Sequence, residues 1–186
     1  MRLHINKTIT IPAPASKVWH VLAHEFGTVS RWASSIPRSH AVTAQHPVTG
    51  GEVGGRMCAT AVPGFDAVQE RFTSYDEAAM RFAYTATAGR PVWITRAENN
   101  WAVRARGVDA CVVEARAELE VPAFPGMVLA PFLKLQMGRV AARLFEELKY
   151  VVEHDRPHPR KLWAQTRARV KLPVRSEVDA REGFRS

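Results

Sequence analysis

Three polar residues, Glu70, Tyr84 and Asn99, fall on strand faces that are otherwise apolar. Glu70 lies between Val68 and Phe72 at period-2 spacing, so its carboxylate points inward with them. A carboxyl group in an apolar pocket has a raised pKa and can serve as a general acid or base. The same Glu70 could instead pair with an arginine such as Arg56 or Arg104 and tie two strands together. Tyr84 sits inward between Phe82 and Ala86, where its hydroxyl could orient a ligand carbonyl or protonate an enolate. A core tyrosine with a satisfied hydroxyl would occupy the same position. Asn99, Trp101 and Val103 share one strand face, offering a polar contact and a flat wall, unless Asn99 and Asn100 mark a bulge. Glu70 and Tyr84 are therefore the catalytic candidates, and Trp32, Phe82, Asn99, Trp101, Leu133 and Met137 the candidate ligand contacts.

Other residues that could do chemistry fit no recognisable site. His20 and His24 have the i, i+4 spacing of a metal pair but lack the glutamate of a zinc-protease motif, so no metal site is expected. Cys58 and Cys111 lie inside strands, in no Cys-x-x-Cys or Cys/His cluster, and read as buried free thiols of a cytoplasmic protein. No phosphate loop, dinucleotide fingerprint or nucleophile elbow is present, and no cofactor is expected. Phe26, Trp32 and Trp93 fall on loops or short elements that could ring a cavity mouth. Met127, Leu129, Phe132, Leu133 and Met137 could line it from a helix, and methionines suit a pocket that adapts to its ligand.

The elements that must position these residues follow from periodicity. Leu3, Ile5, Lys7, Ile9 and Ile11 alternate as a strand that Pro12 and Pro14 end. Val18, Val21 and Leu22 give a short helix its apolar face, and residues 28–34 read as a second short helix carrying Trp32. Strands are expected at 38–45, 55–61, 68–75, 80–87, 97–106 and 110–121, with turns at Pro47–Gly51 and Pro63-Gly64. In the last strand Cys111, Val113, Ala115, Ala117, Leu119 and Val121 alternate with Glu114, Arg116, Glu118 and Glu120, so one face is wet. Ala115 and Ala117 leave room on the inner face. Pro122, Pro125, Gly126 and Pro131 flank the entry to a helix read from about Met127 to Glu153, about 40 Å long. Its stripe of Leu133, Met137, Val140, Leu144, Leu148 and Val151 carries no charge, so the helix is expected to supply a wall and no chemistry.

Composition bounds the rest. With 186 residues, 46% hydrophobic and 24% charged, the chain suits one globular domain and a tail. No run approaches the roughly 18 apolar residues of a membrane span, and the first ten residues lack the apolar core of a secretory signal. The net charge is +8, but residues 156–186 hold nine Lys/Arg against three acids. The organisation expected is therefore a near-neutral domain over residues 1–153 and a basic extension over 154–186, partly disordered or forming a short helix near residues 160–170. That extension could meet an acidic partner, RNA or an anionic membrane surface; DNA is not expected. Oligomeric state is not legible.

Strand, short helices, several strands and one long helix is the order of a helix-grip α+β fold: a curved antiparallel sheet of six or seven strands around a C-terminal helix. Ile9–Trp19, Phe26-Gly27 with Trp32, Val53-Gly54-Gly55-Arg56, Val68–Asp76 followed by Phe82-x-Tyr84, and the closing Leu144–Lys149 together resemble the SRPBCC (START-like) superfamily. The match is to its polyketide cyclase/dehydrase branch, over about residues 3–153. The resemblance implies a hydrophobic cavity between sheet and helix. It also implies a small-molecule ligand, whether the protein is a cyclase or aromatase-like enzyme or a non-catalytic lipid or quinone carrier or sensor. It supplies no common catalytic triad.

Overall fold

The computed structural model describes residues 1–43, 54–62 and 65–171, with main chain alone at 66, 125–129 and 168–171. Seven strands form one antiparallel sheet: β1 (Arg2–Ile11), β2 (Arg38–Val42), β3 (Gly55–Val62), β4 (Phe65–Asp76), β5 (Arg81–Ala88), β6 (Arg96–Ala105) and β7 (Cys111–Glu120). Their order is β1-β7-β6-β5-β4-β3-β2, so the first and second strands in sequence are the two edges. The connection between them holds helix α1 (Ala15–Trp19), a π-helical turn (His20–His24) and a 3₁₀ segment (Phe26–Arg31). That 3₁₀ segment starts two residues before the expected second short helix and leaves Trp32 at its end. The turns expected at Pro47–Gly51 and Pro63-Gly64 lie outside the described residues.

The alternation seen in the sequence sets which face is covered. Leu3, Ile11, Val113, Leu119, Val103 and Phe82 are all buried on the inner side. The outer face carries charge pairs such as Arg2 with Glu118 and Arg104 with Glu114. Register shifts in the β4–β5 ladder, between Gln69 and Glu70 and between Phe72 and Ser74, mark bulges, which increase twist and bend a sheet. The bent sheet faces α2 (Ala123–His154), against which Trp101 of β6 stacks on Phe145 with ring centroids 5.3 Å apart.

Two features of α2 depart from the sequence reading. Pro131 lies inside the helix and not at its entry, because the helix begins at Ala123, with non-helical dihedrals at Phe124. Glu147 is buried, at 1% exposure, so the inward side of α2 does carry a charge. The reason is a neighbour that periodicity within α2 cannot reveal. Helix α3 (Pro159–Lys171) folds back and covers Glu147. Arg160 Nη1 donates to Glu147 Oε1 at 3.1 Å, and the Ser34 backbone N–H donates to Oε2 at 2.8 Å. The neighbouring Lys161 is buried too, its Nζ donating to the Ala33 and Ile36 carbonyls at 3.0 and 2.8 Å. The first turn of the basic extension is thus docked on the domain, and residues 172–186 lie outside the described residues. Among the described residues no helix is long and apolar enough to cross a membrane.

Candidate functional site

The buried side chains fall into two clusters. One centres on Trp19, Phe26, Phe72, Phe82, Trp101 and Phe145. The other centres on Leu3, Val68, Ile94, Leu119 and Leu133, with Met137 packed against it. Between them lies a cavity of about 210 Å³ that draws its walls from both clusters and from α2. Its existence follows from side-chain size. Ala86, Ala97, Ala115 and Ala117 on the sheet and Ala141 on the helix line it, where larger residues would close it. An apolar cavity of about 150 Å³ already accepts benzene, so this one has room for a compact ring system.

Glu70, Tyr84, Asn99, Trp101 and Met137 all line this cavity. Trp32, Phe82 and Leu133 do not. Phe82 and Trp32 belong to the first cluster and stand behind the wall: Phe82 stacks on Trp101 at 6.3 Å, and Trp32 lines a separate hollow of about 30 Å³. Leu133 is a buried member of the second cluster, one turn of α2 before Met137. Phe26 is core and not mouth, and Phe132 points away from the sheet at 66% exposure. Trp93 packs beside the second cluster. The side chains of Met127 and Leu129 lie outside those described.

The residue that organises the polar end is Arg56, named in the sequence reading as one of two possible partners of Glu70 and not as a site residue. It is buried on β3, opposite Glu70 in the β3–β4 ladder. Its Nε donates to Glu70 Oε2 at 2.5 Å, Nη1 to the Phe26 carbonyl at 3.3 Å and Nη2 to the Tyr84 hydroxyl at 3.4 Å. The guanidinium carbon also lies 4.0 Å from the centre of the Phe26 ring and 5.2 Å from that of Tyr84, within cation–π range of two rings that meet each other edge to face. Gly55 lets the strands approach closely enough for this pairing: a Cβ there would fall 2.1 Å from the Glu70 carbonyl oxygen. Glu70 is therefore paired with Arg56, the alternative left open by the sequence, and it also faces the cavity.

Electrostatics follow from that geometry. Burial works against the Arg56 charge, but Glu70, followed by Tyr84 and Cys58, together offset it and hold the guanidinium pKa above its ordinary value. Burial, with Glu70 as the second cause, pushes the Tyr84 phenol well above the ordinary tyrosine value. The Tyr84 hydroxyl is thus a neutral hydrogen-bond donor at ordinary pH. Burial pushes the Cys58 thiol up to about 11, with its Sγ 4.0 Å from Glu70 Oε2. Lys7 also lines the cavity, and the sequence alternation had placed it among inward isoleucines without assigning it a role.

The histidine pair is a surface feature. The His20 and His24 rings meet edge to face at 5.3 Å, and His24 Nε2 lies 3.0 Å from Glu77 Oε1. Among the described residues no three His, Cys, Asp or Glu side chains are grouped to hold a metal.

Comparison with known proteins fits this architecture. The sequence profile of the family described as "Polyketide cyclase / dehydrase and lipid transport" matches residues 2–153. No curated protein sequence matches the chain. Among solved structures, the Zhui aromatase/cyclase from Streptomyces sp. R1128 is similar at 16% identity, covering 82% of this chain and 94% of that one, with a TM-score of 0.67. A START superfamily protein from Mycobacterium smegmatis is similar at 18% identity, covering 81% and 97%, with a TM-score of 0.65. A norcoclaurine synthase point mutant from Thalictrum flavum, in complex with a transition state analogue, is similar at 16% identity, covering 83% and 97%, with a TM-score of 0.62. At these identities the structural neighbours share the fold, and it is the profile match over residues 2–153 that places the chain in the polyketide cyclase/dehydrase and lipid transport family.

Proposed function

We propose that this protein binds a compact hydrophobic small molecule between its sheet and α2. The observation that carries this reading is the cavity of about 210 Å³, whose walls are mostly alanine, valine, leucine and aromatic side chains with a few polar groups at defined positions. Sites for small organic ligands are apolar hollows with a small number of placed polar groups. The volume favours a ligand of one or two rings, or a short chain, over an extended polyketide. Incubating the full chain with short fatty acids, quinones and bicyclic aromatics, followed by native mass spectrometry and thermal denaturation, tests this. One-to-one adducts with a raised melting temperature are expected. No adduct with any member of the panel would overturn the reading.

A cyclase- or dehydrase-like activity is the second reading, favoured by the Arg56–Glu70–Tyr84 cluster at one end of the cavity. Glu70 would accept a proton from a carbon beside a substrate carbonyl, while the neutral Tyr84 hydroxyl would donate to the carbonyl oxygen. A cavity that holds the substrate in one reactive conformer lowers the entropic barrier. In an enzyme, Tyr84→Phe would leave affinity within a few-fold and lower turnover by about 10²-fold or more. A carrier would show no turnover to lose.

A further inference from the structure

One of the cations lining the cavity has no ion-pair partner among the described residues. Its charged lining residues are Lys7, Arg56 and Glu70, and the last two are ion-paired to each other. No hydrogen bond or ion pair joins the Lys7 ammonium to any other described residue, and the same holds for the Asn99 side-chain amide. Lys7 is half-buried on the inner face of β1, between Ile5 and Ile9 at period-2 spacing. A lysine on the apolar face of a strand gives up hydration without gaining a partner, unless the partner arrives with the ligand.

The strand register fixes where that partner would lie. Lys7 stands opposite Ala115 on β7, and Asn99 stands opposite Ala117 on the other side of the same strand. The two alanines therefore form a floor with Lys7 on one flank and Asn99 on the other. Two strand spacings and two residues of offset separate the Cα atoms of Lys7 and Asn99 by roughly 12 Å. A one- or two-ring molecule resting on the alanines, with an anionic group toward β1, spans that gap.

We propose that Lys7 is the ligand's charge anchor and that the ligand class is a small monocarboxylic acid with a compact apolar body. This rests on the cavity being a ligand site and names which ligands it prefers. The carboxylate accepts hydrogen bonds from the Lys7 ammonium, the rings cover Ala115 and Ala117, and Asn99 meets whatever polar group the far end carries. A charge-assisted hydrogen bond in a mostly apolar site discriminates strongly against a neutral isostere.

The test uses 2-naphthoate and its neutral counterpart 2-naphthalenemethanol, titrated calorimetrically into the full chain at one ionic strength. The wild type is expected to bind the acid about ten- to a hundred-fold more tightly than the alcohol. Lys7→Met is expected to abolish that preference while leaving the affinity for the alcohol within about two-fold. Lys7→Gln serves if the methionine variant does not fold. Equal binding of acid and alcohol by the wild type overturns the anchor and leaves the cavity reading standing. A preference that survives Lys7→Met also overturns the anchor and moves the selectivity to Arg56. If neither compound binds the wild type, the small-acid assignment is overturned, and the panel of fatty acids, quinones and bicyclic aromatics decides the cavity reading separately.

Discussion

Arg56 is held by three hydrogen-bond acceptors and two aromatic faces, so its loss is felt through Glu70. Arg56→Met leaves that carboxylate facing an apolar wall without its cation, and breaking a buried pair from one side costs about 3–5 kcal/mol. Arg56→Met combined with Glu70→Leu is expected to recover most of that loss, because both charges are gone. Urea unfolding of the two variants checks both statements. The alkaline limb of stability is a second prediction at this scale. Tyr84 and Cys58 have folded pKa values raised above their ordinary 10.0 and 9.0. Their contribution is therefore complete below about pH 9 and is lost as pH rises toward the folded values, since the unfolded chain releases these protons first. Melting temperature is expected to fall above about pH 9, and to fall less steeply in Tyr84→Phe. Period-2 counting placed Glu70, Tyr84 and Trp101 on inner strand faces, and Asn99 with them unless it marked a bulge; all four line the cavity. It did not single out Arg56, since a charged residue after two glycines carries no sign of the Phe26 and Tyr84 rings that pack against it. It also passed over Lys7, which breaks an apolar alternation and so looks like an exception to it.

Among the elements, α2 was legible in the sequence and its partnership with α3 was not. Amphipathic spacing reports which face of a helix is apolar, but it cannot report that a later helix returns to bury Glu147. The expected short basic helix near residues 160–170 corresponds in position to α3, and its two leading basic residues are spent on the domain rather than on solvent. Arg160 reaches Glu147 and Glu146, and Lys161 reaches the carbonyls of Ala33 and Ile36. Those carbonyls flank Ser34 and Ser35, and Ser35 and Ile36 line the cavity, so α3 braces a cavity wall. Lys161→Met removes two charge-assisted hydrogen bonds and leaves both carbonyls without that donor, at a cost of about 1–3 kcal/mol. Chemical denaturation measures that cost. Hydrogen exchange is expected to rise at residues 33–36 first, and unchanged exchange there would contradict the bracing role. The prolines near α2 misled for a related reason. Proline is common at helix starts, which suggested an entry near Met127, whereas Pro131 is carried inside a helix of 32 residues.

For the molecule as a whole, the order of elements specified a sheet closed by one helix, and the fold and the family match agree with it. What order could not specify is where the two core clusters fail to meet. That gap depends on five alanines from three strands and α2, and only Ala115 and Ala117 were marked by the sequence as making room. Phe82 and Leu133 were read as facing inward and Trp32 as ringing the cavity mouth; all three are buried, but in the solid core on either side of the gap. The central claim is that the gap is a binding site, and filling it is the most direct test. Ala117→Phe places a ring on the cavity floor between Ile5 and Asn99. Native mass spectrometry with a bicyclic aromatic probe should show one bound molecule per wild-type chain and none on Ala117→Phe, with the circular dichroism of the two proteins the same. Equal occupancy of both proteins would contradict the account.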